Sequence, residues 1–210
     1  MKITVLGATG GTGRCLVSLA CEQGHDVTAV VRSPARFDGC GDRLDVVLAD
    51  VTNPDELVPA VEGRDAVISA LGARSTRKPT SVCTDGAASA IGALQRAGGR
   101  RLVVVSNSGM HVDAHDELAG RLFKPVLQRF LKHPYADMRR MEEVVRSSDL
   151  DWTIVQPPRL VDGPRTGRYR TAIDHNVRGG NTVTRADLAD LVLRCAVEGT
   201  AVGAAITIGS

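Results

Sequence analysis

Short apolar runs alternate along the chain with longer segments whose apolar residues recur at helical spacing. The short runs predict strands at residues 3–6, 26–31, 45–48, 66–69, 101–105, 152–155 and 204–208. The longer segments predict helices at residues 11–22, 54–61, 80–97, 136–147 and 185–198. Most of the strands are nearly continuous in Val, Ile and Leu, which is typical of strands buried on both faces of a sheet.

The order of these elements predicts the fold class. Strands that alternate with helices form right-handed βαβ units around a parallel sheet. We therefore expect an α/β fold, a single Rossmann-like doubly wound parallel sheet with helices on both faces, formed by residues 1–210 as one domain. Asn53 before Pro54 and the spacing of Thr184 and Asp187 indicate the starts of two of the helices.

Two segments interrupt the alternation, at residues 108–134 and 157–181. Each follows the carboxyl end of a predicted strand, and ligands of open α/β sheets bind at that edge. We expect these two loops to form the substrate side of the domain.

A glycine-rich loop connects the first predicted strand to the first helix. Its glycines match the pattern G-x-x-G-x-x-G, which lets the chain turn sharply and lets the helix N-terminus meet an anion. The GK[ST] ending of an ATP-binding loop does not follow. The loop therefore predicts a site for the diphosphate of a dinucleotide, made by Gly7, Thr9, Gly10, Gly11, Thr12 and Gly13.

The end of the second predicted strand favours one dinucleotide over the other. A site for NAD usually places an acidic residue there, whereas this chain has Arg32 and Ser33, with Arg36 close behind. Because arginine binds a 2′-phosphate and an acid repels it, NADP(H) is favoured. The alternative is that both arginines are solvated loop charges.

Two further strand ends complete the predicted cofactor site. Asp50 and Val51 follow the third strand, where Asp50 either accepts the adenine amino group or caps the next helix. Leu71 and Gly72 follow the fourth strand and either let the cofactor pass over the strand end or form a tight turn.

Composition narrows the function classes. The chain has 210 residues, 43% hydrophobic and 24% charged, with a net charge of +2, as in an ordinary globular protein without a nucleic-acid footprint. It has no apolar stretch of about 18 residues, so we expect no membrane span. The five cysteines form no CxxC pair, and we expect reduced thiols in a cytoplasmic protein. His111 and His115 have metal-ligand spacing, but their polar setting favours a mobile loop, and we predict no metal.

Several motifs together resemble a known family. They are GATGGTG at 7–13, VVRSPARF at 30–37, DAVISALGAR at 65–74, PTSVCTDGA at 79–87, VVVSNSG at 103–109, QPP at 156–158 and TRADLAD at 184–190. The chain resembles an atypical short-chain dehydrogenase/reductase of the flavin reductase/biliverdin-IXβ reductase type. The wider set of NAD(P)H-binding proteins to which that type belongs includes nitrogen-metabolite-repression regulators.

The resemblance implies NADP(H) and extends the site. It implies that the residues already named bind the diphosphate, the 2′-phosphate and the adenine. It also adds residues beside the strand-four loop, the nicotinamide ribose and the nicotinamide, namely Arg74, Cys83, Ser106, Asn107, Ser108, Pro157 and Pro158.

The sequence departs from the family at two positions. Ordinary short-chain dehydrogenases use Tyr-x-x-x-Lys, whereas here Tyr135 is followed by Arg139, and arginine does not readily lose its charge. Arg159 stands after the two prolines, where biliverdin-type enzymes have histidine. We predict Ser108 as a contact to substrate or nicotinamide, Tyr135 as a candidate proton donor and Arg159 as a candidate clamp for a substrate anion.

These features predict an NADPH-dependent reductase that transfers hydride to a flavin, a quinone or a similar planar carbonyl compound, including an anionic one. The alternative is a non-catalytic NADP(H)-sensing regulator that binds a protein partner, a reading that the missing lysine favours. An isomerase or a tailoring reductase is a third option. We expect a monomer or a weak homodimer.

Overall fold

The computed structural model describes residues 1–35, 37, 39–73, 78–110 and 129–210. An eight-stranded sheet in the order β3-β2-β1-β4-β5-β6-β10-β8 forms its centre. Its strands are β1 (Lys2–Leu6), β2 (Asp26–Val31), β3 (Leu44–Leu48), β4 (Ala66–Ser69), β5 (Arg101–Val105), β6 (Asp151–Gln156), β8 (Arg170–Ile173) and β10 (Ala204–Gly209). A second sheet pairs β7 (Arg159–Val161) with β9 (Thr182–Thr184).

The strand order creates the point at which a ligand can enter. From β1 the chain runs outward through β2 to β3, and then returns to place β4 on the other side of β1. The loops after β1 and β4 therefore diverge above the sheet. Such a switch point, at the carboxyl ends of parallel strands, is where open α/β sheets bind their ligands.

Helices cover both faces of the large sheet. On one face, α1 (Gly11–Glu22) packs against α5 (Arg185–Glu198), and their apolar residues share one core with strands β1, β2 and β5. On the other face lie α2 (Pro54–Val61), α3 (Val82–Ala97) and α4 (Lys132–Arg146), which share a second core. Both faces are thus buried, which confirms the predicted Rossmann-like α/β class.

The predicted elements agree with the observed ones apart from a few bounds. All seven predicted strands are present, while α4 begins at Lys132, earlier than predicted. The Asn53 side chain accepts a hydrogen bond from the Asp55 N–H at 3.1 Å, and the Thr184 hydroxyl accepts one from the Asp187 N–H at 3.0 Å. Both predicted helix starts are confirmed.

Three short strands were not predicted. β7, β8 and β9 lie in or next to the segment expected to be a loop, and β8 pairs antiparallel with β10. β3 is an edge strand whose Leu48 side chain is exposed, although continuous apolar residues suggested burial on both faces. Strands of three or four residues, such as β7, β8 and β9, are too short to show a hydrophobic pattern, and the edge position of β3 leaves none that the sequence reveals.

Cys21, in α1, and Cys40, in the loop after β2, form a disulfide with a Cα–Cα distance of 5.1 Å. The expectation that all cysteines are reduced is therefore wrong for this pair, because distant spacing in sequence hid their proximity in the fold. Cys15, Cys83 and Cys195 are free thiols.

The disulfide predicts a measurable stability difference. Cys40→Ser should lower the free energy of unfolding by about 3 kcal/mol, since a closed loop of this length restricts the unfolded chain by about that amount. The measurement is urea unfolding of the oxidised wild type and variant, with Cys15→Ser as the control for loss of a free thiol. Reductant should bring the wild type to the variant's stability, and equal midpoints without reductant would contradict the disulfide.

No helix among the described residues is long and apolar enough to cross a membrane. The described part of the chain also holds no group of three or more His, Cys, Asp or Glu side chains arranged for a metal ion. His111 and His115 lie outside the described residues.

Candidate functional site

A cleft of about 520 Å³ lies at the switch point of the sheet. Residues that follow β1, β2, β3, β4, β5 and β6 form its walls, so one cleft collects the carboxyl ends of six parallel strands. Twelve of the residues predicted from the sequence line it: Gly7, Thr9, Gly10, Gly11, Thr12, Arg32, Val51, Leu71, Gly72, Ser106, Asn107 and Pro157.

Backbone contacts shape the glycine loop. Gly7 has a φ of +75°, and a Cβ atom there would lie 2.7 Å from the Ala70 carbonyl oxygen. A Cβ atom on Gly13 would overlap the Gly7 carbonyl oxygen itself. Gly13 is buried and does not line the cleft, so its effect is to let α1 approach the loop and direct its N-terminus at the cleft.

The N-terminus of α1 is open toward the cleft. Its N-cap is Gly10, and among the described residues no side chain caps it and no acid lies in its first turn. The first N–H groups of a helix have no partner within the helix, and the helix dipole makes that end positive. This end of α1 suits the diphosphate of a dinucleotide.

The predicted 2′-phosphate and adenine residues lie on one side of the cleft. Arg32 and Val51 line it, whereas Ser33 is exposed beside it and Arg36 lies outside the described residues. Asp50 is exposed at the rim, and hydrogen bonds from the backbone and hydroxyl of Thr52, with a smaller effect of Arg32, hold its pKa below the usual range. Because Asn53 caps α2, the capping alternative for Asp50 is wrong.

The end of β5 offers an unpaired polar atom to the cleft. Ser106 is 2% exposed, and its Oγ has no hydrogen-bond partner among the described residues. Three buried hydroxyls have no partner among the described residues, those of Thr28, Ser89 and Ser106, and of these Ser106 alone belongs to the cleft wall, where a ligand group can be its partner. The glycine loop and this hydroxyl fit a bound dinucleotide.

The three predicted catalytic residues do not line the described cleft. Ser108 is buried, and its N–H donates to the Pro157 carbonyl at 2.9 Å. Tyr135 is 4% exposed, and its hydroxyl lies 2.8 Å from the position that a Cβ atom on Gly109 would occupy. Arg159 is exposed on β7, where it precedes the cleft residue Leu160. Their roles stay predictions.

Arg139 has a structural contact in place of the lysine of ordinary short-chain dehydrogenases. Its Nη2 donates to the Met110 carbonyl oxygen at 2.6 Å and so supports the turn Ser108–Met110 after β5. The guanidinium is not among the groups that line the cleft. Burial raises the pKa of Tyr135, and Arg139 opposes that rise.

Three other predicted cofactor residues lie elsewhere. Cys83 and Pro158 are buried behind the wall of the cleft, and Arg74 falls outside the described residues. The Cys83 thiol donates to the Leu71 carbonyl at 3.6 Å, and burial together with Asp137 raises its pKa to about 12. Cys83 therefore supports the strand-four loop from below.

Seven cleft residues were not predicted: Ala70, Ala73, Val82, Val105, Met138, Leu160 and Arg185. Ala70 and Ala73 belong to the strand-four loop, and Val105 is the last residue of β5. These three residues adjoin predicted ones, and the same argument could have predicted them. Leu160 and Arg185 belong to the small sheet and α5, whose position over the cleft has no local signal. The TRADLAD stretch, which contains Arg185, was the available hint.

Comparisons with known proteins show the family of the chain. A family model described as NAD(P)H-binding matches residues 7–198, and the chain belongs to that family. The uncharacterized sugar epimerase YhfK of Bacillus subtilis is 32% identical over 92% of this chain and 86% of its own.

Two solved structures share the fold. A wide-type short-chain dehydrogenase/reductase of Veillonella parvula in complex with NADP has a TM-score of 0.78 and 23% identity, over 100% of this chain and 94% of that one. SP1627 of Streptococcus pneumoniae, which carries the provisional name NADH-flavin reductase, has a TM-score of 0.80 and 24% identity, over 100% and 99%.

The glycine contacts predict opposite effects of two matched substitutions in helices. Gly13→Ala should lower the free energy of unfolding by about 1–3 kcal/mol, as overpacking does, because its methyl group overlaps the Gly7 carbonyl. Gly92→Ala, where a Cβ atom would lie 3.7 Å from Pro54, should raise it by about 0.5–1 kcal/mol. Urea unfolding measures both, and a Gly13→Ala protein as stable as the wild type would show that the loop does not fix α1.

Proposed function

We propose that this protein is an NADPH-dependent reductase that passes hydride to a flavin, a quinone or a similar planar acceptor. The observation that carries the proposal is the chemistry of the cleft. Among its described lining residues, the titratable side chains are Arg32 and Arg185. Since arginine does not release its proton in proteins, the described lining offers no general acid. The proposed acceptors are those that need none from the protein.

In this proposal the cofactor and the lining residues have different roles. A nicotinamide cofactor supplies the hydride when bound. The glycine loop and the α1 N-terminus hold its diphosphate, while Ser106 and Asn107 lie where the ribose or amide is expected. The apolar residues Leu71, Val105 and Leu160 line the same space.

The proton for the acceptor comes from solvent in this proposal. A flavin or quinone that takes up a hydride becomes an anion whose protonation in water is fast and needs no positioned acid. The raised pKa of Tyr135 makes its hydroxyl a weaker acid than usual, which supports this route. Tyr135→Phe tests the alternative, in which Tyr135 donates the proton.

The preference for NADPH over NADH is proposed from Arg32. Arg32 lines the cleft together with Val51, and the two positions directly after β2 are Arg32 and Ser33, where a site for NAD usually has an acid. The name of the Veillonella structure, which states a complex with NADP, agrees with this assignment. The provisional name of SP1627, NADH-flavin reductase, agrees with the acceptor class but states the other nicotinamide cofactor.

Location and partners are proposed on the same basis. A small planar acceptor, with an anionic group permitted by Arg159, is the expected partner, in the cytoplasm and without nucleic acid. The net charge of +2 supports the last point. The Cys21–Cys40 disulfide is the observation that opposes a reducing compartment.

Turnover distinguishes the reductase from a sensor. Purified protein with NADPH should oxidise it in the presence of at least one of FMN, riboflavin, menadione or biliverdin, followed at the absorbance band of reduced nicotinamide. Tyr135→Phe should keep most of that rate, whereas Gly13→Ala should lose it. Tight NADPH binding without turnover on any acceptor would overturn the reductase in favour of the NADP(H)-sensing regulator, a reading consistent with Arg139 being held by Met110.

Cofactor preference is tested at Arg32. Arg32→Asp should weaken NADPH binding by about 10–100-fold, the effect of losing a hydrogen bond to a charged group, and should leave NADH binding within a few-fold. Isothermal titration calorimetry with both cofactors measures this. Arg43→Asp, at an exposed arginine paired with Asp26, is the control for a change of surface charge. Unchanged NADPH binding by Arg32→Asp would refute the 2′-phosphate assignment.

A further inference from the structure

The side chain of Arg185 crosses the glycine loop at the start of α1. A Cβ atom on Gly11 would lie 2.8 Å from both Cδ and Nε of Arg185. Any other residue at position 11 would therefore displace the arginine. This contact gives a physical reason for Gly11, the additional glycine of the loop, which the G-x-x-G-x-x-G pattern does not require.

One helix end beside Arg185 is uncompensated. Arg185 lies over the N-terminus of α1, and it is itself the first residue of α5, whose own N-terminus is capped by Thr184 and has Asp187 in its first turn. The N-terminal ends of helices are positive and repel cations. Within the described part of the chain, that end of α1 has neither a side-chain cap nor an acid in its first turn. The uncapped end of α1 and the Arg185 guanidinium thus meet at one wall of the cleft.

The ion pair of Arg185 does not explain this placement. Its Nη1 lies 2.5 Å from Oδ1 of Asp162, but the Asp162 side chain is 93% exposed. Pairs exposed to this degree contribute little to stability. The Asp162 carboxylate holds the Arg185 guanidinium in place. When the guanidinium moves to another anion, water can solvate the exposed carboxylate of Asp162.

The small sheet delivers this pair to the glycine loop. β7 and β9 run parallel, with Val161 opposite Thr184. Asp162 and Arg185 directly follow the last residues of these two strands. The carboxyl group of Asp187 fixes the neighbouring turn by accepting the Thr166 and Gly167 N–H groups at 2.7 and 2.9 Å. Arg185 therefore projects from a braced position.

We propose that Arg185 is a clamp for the cofactor diphosphate, which it contacts beside Gly11 of the glycine loop, exchanging Asp162 for phosphate oxygens. The inference rests on the proposed function, since it requires a dinucleotide in the cleft. The unpaired Ser106 Oγ in the same cleft is an independent sign that a ligand belongs there.

The test separates the diphosphate from the rest of the cofactor. Arg185→Gln should weaken binding of NADPH by about 10–100-fold in calorimetry, as loss of a charge-assisted hydrogen bond does. It should leave unchanged the binding of adenosine 2′-monophosphate, which has the adenine and the 2′-phosphate but no diphosphate. Arg32→Gln should weaken both ligands.

Three variants serve as controls. Arg165→Gln removes an arginine that pairs with Asp190 on the same side of the fold and does not line the cleft, and it should bind NADPH like the wild type. Arg185→Lys keeps the charge and should recover part of the affinity. Asp162→Asn removes the competing carboxylate and should bind NADPH as tightly as the wild type or more tightly. Thermal unfolding monitored by circular dichroism verifies that each variant is folded.

Each failure has its own signature. If Arg185→Gln binds NADPH like the wild type, the clamp is refuted while the proposed function stands. If it loses NADPH and adenosine 2′-monophosphate equally while folded, Arg185 supports the whole cleft and the diphosphate assignment is refuted. If the wild type binds neither NADPH nor NADH, the proposed function itself is refuted, and the clamp with it.

Discussion

The candidate site depends on a close approach between backbones at the start of the chain. The carbonyl oxygen of Gly7 lies where a side chain on Gly13 would be, and Gly7 in turn lies against the carbonyl oxygen of Ala70 after β4. These contacts bring α1 down onto the loop and leave the loop against the neighbouring strand. The positive end of α1 then points into the cleft between the diverging connections, and each further wall of the cleft is arranged around it.

The second wall comes from the other end of the chain. The small sheet and α5 lie on the same side as α1, and buried apolar residues of α1 and α5 share one core. Asp187 makes this region rigid. Burial opposes its ionisation, yet hydrogen bonds from Gly167, Thr166 and Thr184 outweigh that cost and hold the pKa of the carboxyl below its usual range. These hydrogen-bond donors offset the free-energy cost of burying the charge, and they fix the turn beside Arg185.

In place of the Tyr-x-x-x-Lys pair of ordinary short-chain dehydrogenases, this chain has Tyr135 and Arg139. Arg139 occupies the position of the usual lysine and is engaged with the Met110 carbonyl, so it braces the turn after β5. Tyr135 is buried next to that turn, and its pKa is raised by burial. Neither side chain lines the described cleft, and the part that Tyr135 takes in a reaction stays a prediction.

Local patterns determined most of the fold and twelve of the nineteen residues that line the described cleft. Continuous apolar strands, helical periodicity, the capping residues Asn53 and Thr184, and the glycine spacing are short-range signals, and they predicted the seven main strands, the helices and the diphosphate loop. Arg32, Val51 and Ser106 were predictable because they follow strands, and parallel strands end at one edge.

Only the tertiary structure decided which residues from distant segments meet. The Cys21–Cys40 disulfide, the strands β7 and β9, and the placement of Arg185 across Gly11 each depend on contacts between segments far apart in sequence. On a short strand, adjacent residues point to opposite sides, so Leu160 lines the cleft while Arg159 is exposed, and composition does not reveal which of the two faces inward. The glycine loop motif predicted the dinucleotide site, and long-range packing decided which residues of distant segments face the dinucleotide.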